Sequence, residues 1–274
     1  MQVSLGPYGL EVATTFGPRI TGLRRGGGPE VMVRLPDTVL EHPGGTYRFE
    51  GGHRLWVSPE VPEITYANDS HQCEVVDDGH QVSIVAPPDA AGVTKKMVVT
   101  LDDEELVVTH EVGRPGAGPA LAPWAITQLP LGGTAFLPLR GDQDAGAGAS
   151  RYLVMWPYGS VDDPRVAVSD HLVKVTADGG VPIKYGAGPV PGRLGYLREG
   201  ALFVKEIESA TDRDVPDFGA VGQVYVGQGF CELESLGGRS DLSAGSTATL
   251  VERWWVQDCP DVETALTLLA VAAP

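Results

Sequence analysis

The segment from Lys95 to Val112 decides the fold class, because it reads as two strands around a short acidic turn. KKMVVTL (95–101) and LVVTHEV (106–112) flank the four residues DDEE (102–105). Apolar and polar residues alternate through both halves, which is the two-residue period of a half-buried β-strand. The segment therefore predicts a β-hairpin.

Similar alternating segments extend outward from this hairpin. Further strands are predicted over Gln81–Val85, Ala201–Ile207, Gly222–Val226, Phe230–Ser235 and Thr247–Val256. Only Asp261–Ala272 has helical spacing, and 36 glycines with 22 prolines favour many turns. No internal repeat or linker composition interrupts the chain. We expect an all-β, antiparallel single domain over residues 1–274, made of two large packed sheets and a short C-terminal helix.

Charge and cysteine content restrict the classes of partner and location. The 36 acidic and 20 basic residues give a formal net charge of −16, which repels nucleic acid and anionic membrane surfaces. No run of 18 apolar residues predicts a membrane span, and the first residues lack a signal-peptide pattern. Three scattered cysteines do not form a disulfide framework. These features predict a cytoplasmic protein with no nucleic-acid or membrane partner.

Sequence motifs for cofactor and metal chemistry are not found. The chain has no P-loop, no HExxH, no GxSxG and no GxGxxG between a strand and a helix. The six histidines are not closely paired along the sequence: His42, His53, His71, His80, His110 and His171. We therefore predict neither a metal site nor an organic cofactor.

The segment GGHRLWVSPE (51–60) concentrates residues that bind and react. If it is extended, His53 points to one face of a sheet, whereas Arg54 and Trp56 point to the other. Arg54, Trp56 and Glu60 are candidate substrate-binding residues. The same pattern also fits a buried tryptophan beside an Arg–Glu surface pair.

The segment FCELES (230–235) carries two acidic residues on one face of a predicted strand. Alternation places Glu232 and Glu234 together, with Cys231 and Leu233 on the other face. Two neighbouring carboxylates repel, which can raise the pKa of one of them towards the range of a general base. A solvated acidic face would show the same alternation.

Three further residues are candidates for substrate binding. Trp124 and Trp156 are either core aromatics or platforms on which a sugar ring stacks. Lys184 is one of only five lysines, and it is either a surface residue whose ammonium reaches the solvent or part of the site.

The order of several segments resembles the galactose mutarotase-like (aldose 1-epimerase) superfamily. They are FGPRITGL (16–23), GGHRLWVSPE (51–60), LAPWAITQLPL (121–131), RYLVMWPY (151–158), FCELES (230–235) and TLVERWWV (249–256). The resemblance covers nearly the whole chain. It implies a β-supersandwich that binds a carbohydrate on the concave face of a curved sheet.

The resemblance also implies roles for individual residues. In that superfamily a glutamate removes the proton of the anomeric hydroxyl, and a histidine protonates the ring oxygen. Glu234 best matches the base, with Glu232 second. The usual histidine position falls in the segment 120–123, which reads ALAP, so His53 or Lys184 is the candidate acid.

Two classes of function remain open at this point. The first is a mutarotase or epimerase that acts on a small-molecule carbohydrate without a cofactor. The alternative is a non-catalytic carbohydrate-binding protein, or an enzyme of different chemistry in the same cleft. The sequence does not indicate the oligomeric state.

Overall fold

The computed structural model describes residues 1–116, 118–139, 146–148, 150–188, 192–208, 214–242 and 245–270. It contains two large sheets and one small one, and the strand pairs described are antiparallel. The nine-stranded sheet has the spatial order β1 (Gln2–Leu5), β2 (Tyr8–Val12), β3 (Arg19–Arg25), β6 (His53–Ser58), β11 (Ala122–Leu129), β20 (Cys231–Leu236), β19 (Gly222–Val226), β16 (Ile183–Gly188) and β13 (Tyr152–Met155).

The second large sheet packs against the first. It has the order β14 (Val166–Val168), β15 (Leu172–Ala177), β12 (Gly133–Pro138), β17 (Arg193–Arg198), β18 (Ala201–Glu208), β21 (Thr247–Asp258), β10 (Glu105–Gly113), β9 (Thr94–Asp102), β8 (Gln81–Val85) and β7 (Glu74–Asp77). The small sheet is the hairpin of β4 (Arg34–His42) and β5 (Gly45–Gly51). The helices are α1 (Pro62–Thr65), α2 (Pro216–Gly219) and α3 (Val262–Ala270). None of these helices is long and apolar enough to cross a membrane.

The strands predicted from the sequence are confirmed. The hairpin that decided the fold class is β9 and β10, and Asp103 in its turn has the left-handed φ of 53°. The other predicted strands match β8, β18, β19, β20 and β21 to within two residues. The predicted C-terminal helix is α3; residues 271 and 272 lie outside the described part of the chain. The all-β antiparallel sandwich with a short C-terminal helix is therefore correct.

The core lies between the two large sheets. One side-chain cluster contains inward-facing residues of both, such as Leu233 of β20, Ala125 of β11 and Trp254 of β21, all fully buried. Each fully buried aliphatic side chain contributes about 1.5–3 kcal/mol to the stability of such a core. Because strand residues alternate, the other half of the nine-stranded sheet's side chains point away from this core, onto what we call the outer face.

The β4–β5 hairpin packs on the outer face over β6 and β11, two interior strands of the nine-stranded sheet. Gly51 and Gly52 connect β5 to β6 with φ of 82° and 75°, and a Cβ on Gly52 would overlap the Ile20 carbonyl. Only glycine meets both requirements easily. The buried Arg19 guanidinium donates to the Tyr47 hydroxyl at 2.6 Å and to Asp69 at 2.8 Å. The hairpin thus brings aromatic residues of β5 over the outer face.

Candidate functional site

Five adjacent strands bring the predicted site residues onto the outer face. In one row across β11, β20, β19 and β16, the residues in register are Gln128, Glu232, Tyr225 and Lys184. In the next row, across β6, β11, β20 and β19, they are Arg54, Ile126, Glu234 and Gln223. Strand alternation and register therefore place two carboxylates and two cations on one face of the sheet, no more than two strands apart within each row.

Glu234 is bound by a lysine and a tryptophan. Its Oε2 accepts hydrogen bonds from Lys184 Nζ at 2.7 Å and from the Trp124 indole Nε1 at 2.8 Å. We call these three residues the outer triad. The side chains of Glu234 and Lys184 are 1% and 5% exposed. Among the described residues, none donates to Glu234 Oε1, so this oxygen is available to a ligand.

Two indole rings enclose the ammonium group of the outer triad. Lys184 Nζ lies 4.7 Å from the ring centroid of Trp124 and 4.6 Å from that of Trp156. Such cation–π contacts stabilise a desolvated ammonium by about 2 kcal/mol. The same rings offer apolar faces of the kind on which the carbon side of a sugar ring stacks.

Glu232 is held by a second pair of donors. Arg54 Nη2 lies 2.9 Å and Gln128 Nε2 3.0 Å from its Oε1, and no described residue donates to its Oε2. Burial raises the pKa of Glu232, and the negative charge of Glu234 raises it further, while Arg54 opposes the shift. The Arg54 guanidinium lies 4.0 Å above the Trp56 ring. Each glutamate of the pair thus keeps one oxygen for a ligand.

Three tyrosines surround the two carboxylates. Burial raises the pKa of Tyr225 to about 12, and the charges of Glu232 and Glu234 add to the shift. Burial and the same glutamates also raise the pKa of Tyr158. Tyr66 donates its hydroxyl to Glu60 and packs against Trp56 at 5.0 Å. The phenols stay neutral and can donate hydrogen bonds to ligand hydroxyl groups.

Several buried polar atoms of the outer face have no hydrogen-bond partner among the described residues. They are Nε and Nη1 of Arg54, Nε1 of Trp56 and Oε1 of Gln128. Buried polar groups in native proteins are nearly always paired, and the exceptions concentrate where a ligand or water completes the bonding. This set of donors and acceptors fits a ligand with many hydroxyl groups.

His53 does not lie with these residues. It is fully buried on β6 with its side chain between the two sheets, on the opposite face from Arg54. Its Nδ1 is 2.8 Å from Thr127 Oγ1 and its Nε2 is 2.7 Å from His110 Nε2. The structure therefore separates His53 from Glu234, with which the sequence grouped it as a candidate acid.

The hydrogen bonds of the two histidines fix their tautomers. His110 Nδ1 donates to the Leu250 carbonyl at 3.0 Å, since a carbonyl only accepts. Burial lowers the pKa of both rings, so both are neutral, and His110 Nε2 must accept from His53 Nε2. His53 Nδ1 then accepts the Thr127 hydroxyl proton. The hydrogen bonds therefore run in one direction, from the Thr127 hydroxyl through His53 and His110 to the Leu250 carbonyl.

A second lysine and glutamate complete this buried cluster. Lys205 Nζ is 3.1 Å from Glu252 Oε1, and the Trp254 indole Nε1 donates to Glu252 Oε2 at 2.8 Å. We call these three residues the inner triad. The ligand atoms of His53, His110 and Glu252 lie within 4.8 Å of one another, which resembles a metal ligand set. The ring nitrogens of both histidines are used in hydrogen bonds, and Lys205 supplies a positive charge beside Glu252.

The fold was compared with those of known proteins. No protein-family model and no curated protein matches the sequence. A galactose mutarotase-like protein from Lactobacillus casei aligns over 94% of this chain and 99% of its own, with a TM-score of 0.64 and 11% identity. A candidate mutarotase from Salmonella typhimurium aligns over 94% and 90%, with a TM-score of 0.58 and 11% identity. A candidate aldose 1-epimerase from Escherichia coli K12 aligns over 94% and 98%, with a TM-score of 0.54 and 13% identity.

The chain has the galactose mutarotase-like fold. The superfamily resemblance noted from the sequence is therefore correct at the level of the fold, which at these identities is what the likeness establishes.

On this galactose mutarotase-like fold, most of the predicted site residues meet on one face. They are Arg54, Trp56, Glu60, Trp124, Trp156, Lys184, Glu232 and Glu234. Sequence reasoning missed Gln128, Tyr66, Tyr158 and Tyr225. Gln128 lies four residues after Trp124 on the same strand, so alternation could have placed it on this face. Tyr225 lies on the predicted strand Gly222–Val226, where alternation could have placed it as well. Tyr66 and Tyr158 reach the site from outside the strands, and the sequence pattern does not indicate their approach.

Proposed function

We propose that the chain binds an aldose on the outer face and interconverts its anomers, with Glu234 as the base and Lys184 as the acid. The observation that carries the proposal is the outer triad. A carboxylate and an ammonium group lie 2.7 Å apart between two indole rings, and one carboxylate oxygen lacks a donor among the described residues. An acid and a base side by side are what the opening of a hemiacetal requires.

The reaction transfers two protons and leaves the protein unchanged. Glu234 Oε1 takes the proton of the anomeric hydroxyl while the bond between C1 and the ring oxygen breaks. The ring oxygen takes a proton from the Lys184 ammonium, and the electron pair of the O1–H bond forms the aldehyde. Rotation about C1–C2 presents the other face of the aldehyde, and the reverse transfers close the ring. The reaction needs no metal and no organic cofactor.

The residues around the outer triad bind and orient the sugar. Trp124 and Trp156 offer stacking surfaces, and the neutral phenols of Tyr158 and Tyr225 can donate to sugar hydroxyls. Glu232 keeps an oxygen free of described donors and serves as a hydroxyl acceptor, or as the base if Glu234 does not act. His53 has no part in this proposal, because its one N–H donates to His110 and its other ring nitrogen accepts from Thr127, both between the sheets.

Carbohydrate binding without turnover is the second candidate. The observation that favours it is the closure of the outer triad, whose lysine and glutamate are 5% and 1% exposed and bonded to each other. In that function the triad is a fixed binding surface, and the ion pair does not separate.

Two substitutions test the catalytic proposal. Glu234→Gln keeps the size of the side chain but cannot take a proton, and Lys184→Met keeps its length but has no proton to give. Each should lower the rate of anomer exchange by roughly 10²-fold or more, the usual effect of losing a positioned acid or base. Polarimetry and saturation-transfer NMR on freshly dissolved glucose, galactose and their 6-phosphates measure the rate.

Lys95→Met is the matched control for Lys184→Met. Lys95 is also 5% exposed and bonds a carboxylate, Asp89, at 2.8 Å, but it lies on β9 in the other sheet. It should leave the rate unchanged. A wild-type rate equal to that of buffer on every sugar would remove the catalytic proposal. Tryptophan fluorescence titrated with the same sugars would then test binding without turnover.

A further inference from the structure

Lys205 connects the inner cluster to the backbone of the two strands that carry the outer triad. It is fully buried on β18, in the sheet that does not carry the site. Its Nζ donates to the Ala125 carbonyl of β11 at 3.2 Å and to the Leu233 carbonyl of β20 at 3.2 Å. One ammonium group thus crosses the core and binds two neighbouring strands of the nine-stranded sheet, on the face opposite the site.

The positions of the two carbonyls relate them directly to the site. Ala125 follows Trp124 in the chain, and Leu233 precedes Glu234. Trp124 and Glu234 are the pair whose hydrogen bond, at 2.8 Å, forms on the outer face. The Leu233 carbonyl belongs to the peptide group next to Glu234, and the Ala125 carbonyl to the one that joins Ala125 to Ile126, one residue beyond Trp124. Lys205 therefore binds the backbone close to both ends of this side-chain contact.

The polar groups around Lys205 hold its ammonium group in one position. Its Nζ is 3.1 Å from Glu252 and 3.3 Å from Thr127 Oγ1, in addition to the two carbonyls. Because the Thr127 hydroxyl proton is donated to His53, Thr127 Oγ1 must accept from Lys205. The hydrogen bonds to the two carbonyls and to Thr127 engage all three protons of the ammonium group, and Glu252 adds an ion pair. A charged group bonded in this way is rigid, and so are the peptide groups that it binds.

We propose that Lys205 is a positioning residue for the site: through the Ala125 and Leu233 carbonyls it sets the geometry of the Trp124–Glu234 contact on the opposite face of the sheet. The consequence for turnover rests on the proposed function of Glu234; the consequence for the geometry does not. A misplacement of a reacting group by about 1 Å can cost about 10²-fold in rate, so a support of this kind affects chemistry without touching the substrate.

The indole N–H signal of Trp124 in a ¹⁵N-labelled NMR spectrum reports the contact directly. The signal is assigned as the one that disappears in Trp124→Phe. In Lys205→Met, which removes the ammonium group, the Trp124 signal should move, because its hydrogen bond to Glu234 changes length or angle. On the sugar that the wild type turns over, kcat should fall by about tenfold or more. KM should change much less.

A second variant guards against loss of folding. Lys205→Met alone leaves Glu252 buried without its cation, whereas Lys205→Met with Glu252→Met replaces the whole ion pair by apolar side chains, which proteins often tolerate. The Trp124 signal should move in this double variant as well. Lys95→Met removes a buried lysine of the same sheet from an ion pair far from the site, and the Trp124 signal should keep its wild-type position.

The outcomes separate the two proposals. A Trp124 signal at its wild-type position in folded Lys205→Met and in the double variant would overturn the positioning role and leave Lys205 with stability alone. A displaced signal in a protein whose wild type turns over no sugar would support the positioning role and remove the catalytic one.

Discussion

The two triads of this protein have the same three residue types. The outer triad lies on the outer face of the nine-stranded sheet, and the inner triad belongs to the second large sheet and packs against the opposite face of the first. In each, a tryptophan donates to a buried glutamate that also forms an ion pair with a lysine. In the outer triad both donors bind the same oxygen, Oε2 of Glu234, at 2.7 and 2.8 Å. In the inner triad the lysine and the tryptophan bind different oxygens of Glu252, at 3.1 and 2.8 Å.

That difference distinguishes a site from a structural element. In the inner triad Glu252 Oε2 accepts from Trp254, and Oε1 lies 3.1 Å from the Lys205 ammonium in an ion pair without a hydrogen bond. The three protons of Lys205 go to two backbone carbonyls and to Thr127. The outer triad leaves one glutamate oxygen without a described donor, and unpaired atoms of Arg54, Trp56 and Gln128 lie on the same face. Residue types alone therefore do not indicate function. The unused bonding capacity of the outer triad lies on the face that points away from the core, whereas the unpaired Oε1 of Glu252 is enclosed between the sheets beside a lysine.

Matched glutamate substitutions give the largest expected contrast. Glu252→Gln leaves the Lys205 ammonium buried without a counter-charge and should lower the free energy of unfolding by about 3–5 kcal/mol. Glu234→Gln should lower it by about 1 kcal/mol or less, because Lys184 keeps its two indole rings and an amide is easier to bury than a carboxylate. Urea denaturation of both variants measures the difference. Equal losses would show that the outer triad is as structural as the inner one.

Matched tryptophan substitutions come next. Trp254→Phe removes an indole donor to a charged group and should cost about 2 kcal/mol of stability, with no change in the kcat of the folded protein. Trp124→Phe removes the corresponding donor to Glu234 and should lower sugar turnover or affinity. Thermal denaturation and the sugar assays compare the two. A fall in kcat for Trp254→Phe greater than that for Trp124→Phe would reverse the assignment of the two faces.

Much of the outer site could be predicted from sequence, because a strand's alternation is a local property. The segment from 53 to 56 places Arg54 with Trp56, and the segment from 230 to 235 places Glu232 with Glu234. The structure has both pairs on the outer face. The same alternation predicts that His53 and Arg54 point to opposite faces of their strand.

Alternation does not indicate which face of a strand packs against the other sheet. His53 and His110 are 57 residues apart and belong to different sheets, so their contact appears only when the sheets pack. The approach of the β4–β5 hairpin is likewise a tertiary feature. The role of His53 as an acid came from the superfamily resemblance. The cytoplasmic location of the protein and its single domain over residues 1–274 stay predictions.

The smallest expected effect concerns pH, and the two faces should act in opposite directions. Burial, with the positive charge of Lys205, lowers the pKa of His53 well below its ordinary value of 6.5. As pH falls through 6.5 the unfolded chain therefore takes up a proton that the folded chain refuses, and stability is lost. Burial raises the pKa of Glu232 above 4.5, so the folded chain takes up that proton first and stability is lost as pH rises above 4.5.

A difference of one bound proton between the folded and the unfolded state changes the free energy of unfolding by about 1.4 kcal/mol per pH unit. His53→Gln should therefore flatten the dependence of stability on pH between about 6.5 and 5.5 by up to that amount. Glu232→Gln should leave the loss towards acid at least as steep, because it removes the opposing contribution. Urea denaturation at half-unit steps of pH measures both slopes. A full wild-type slope in His53→Gln would mean that another group, such as His110, carries the titration of the inner cluster.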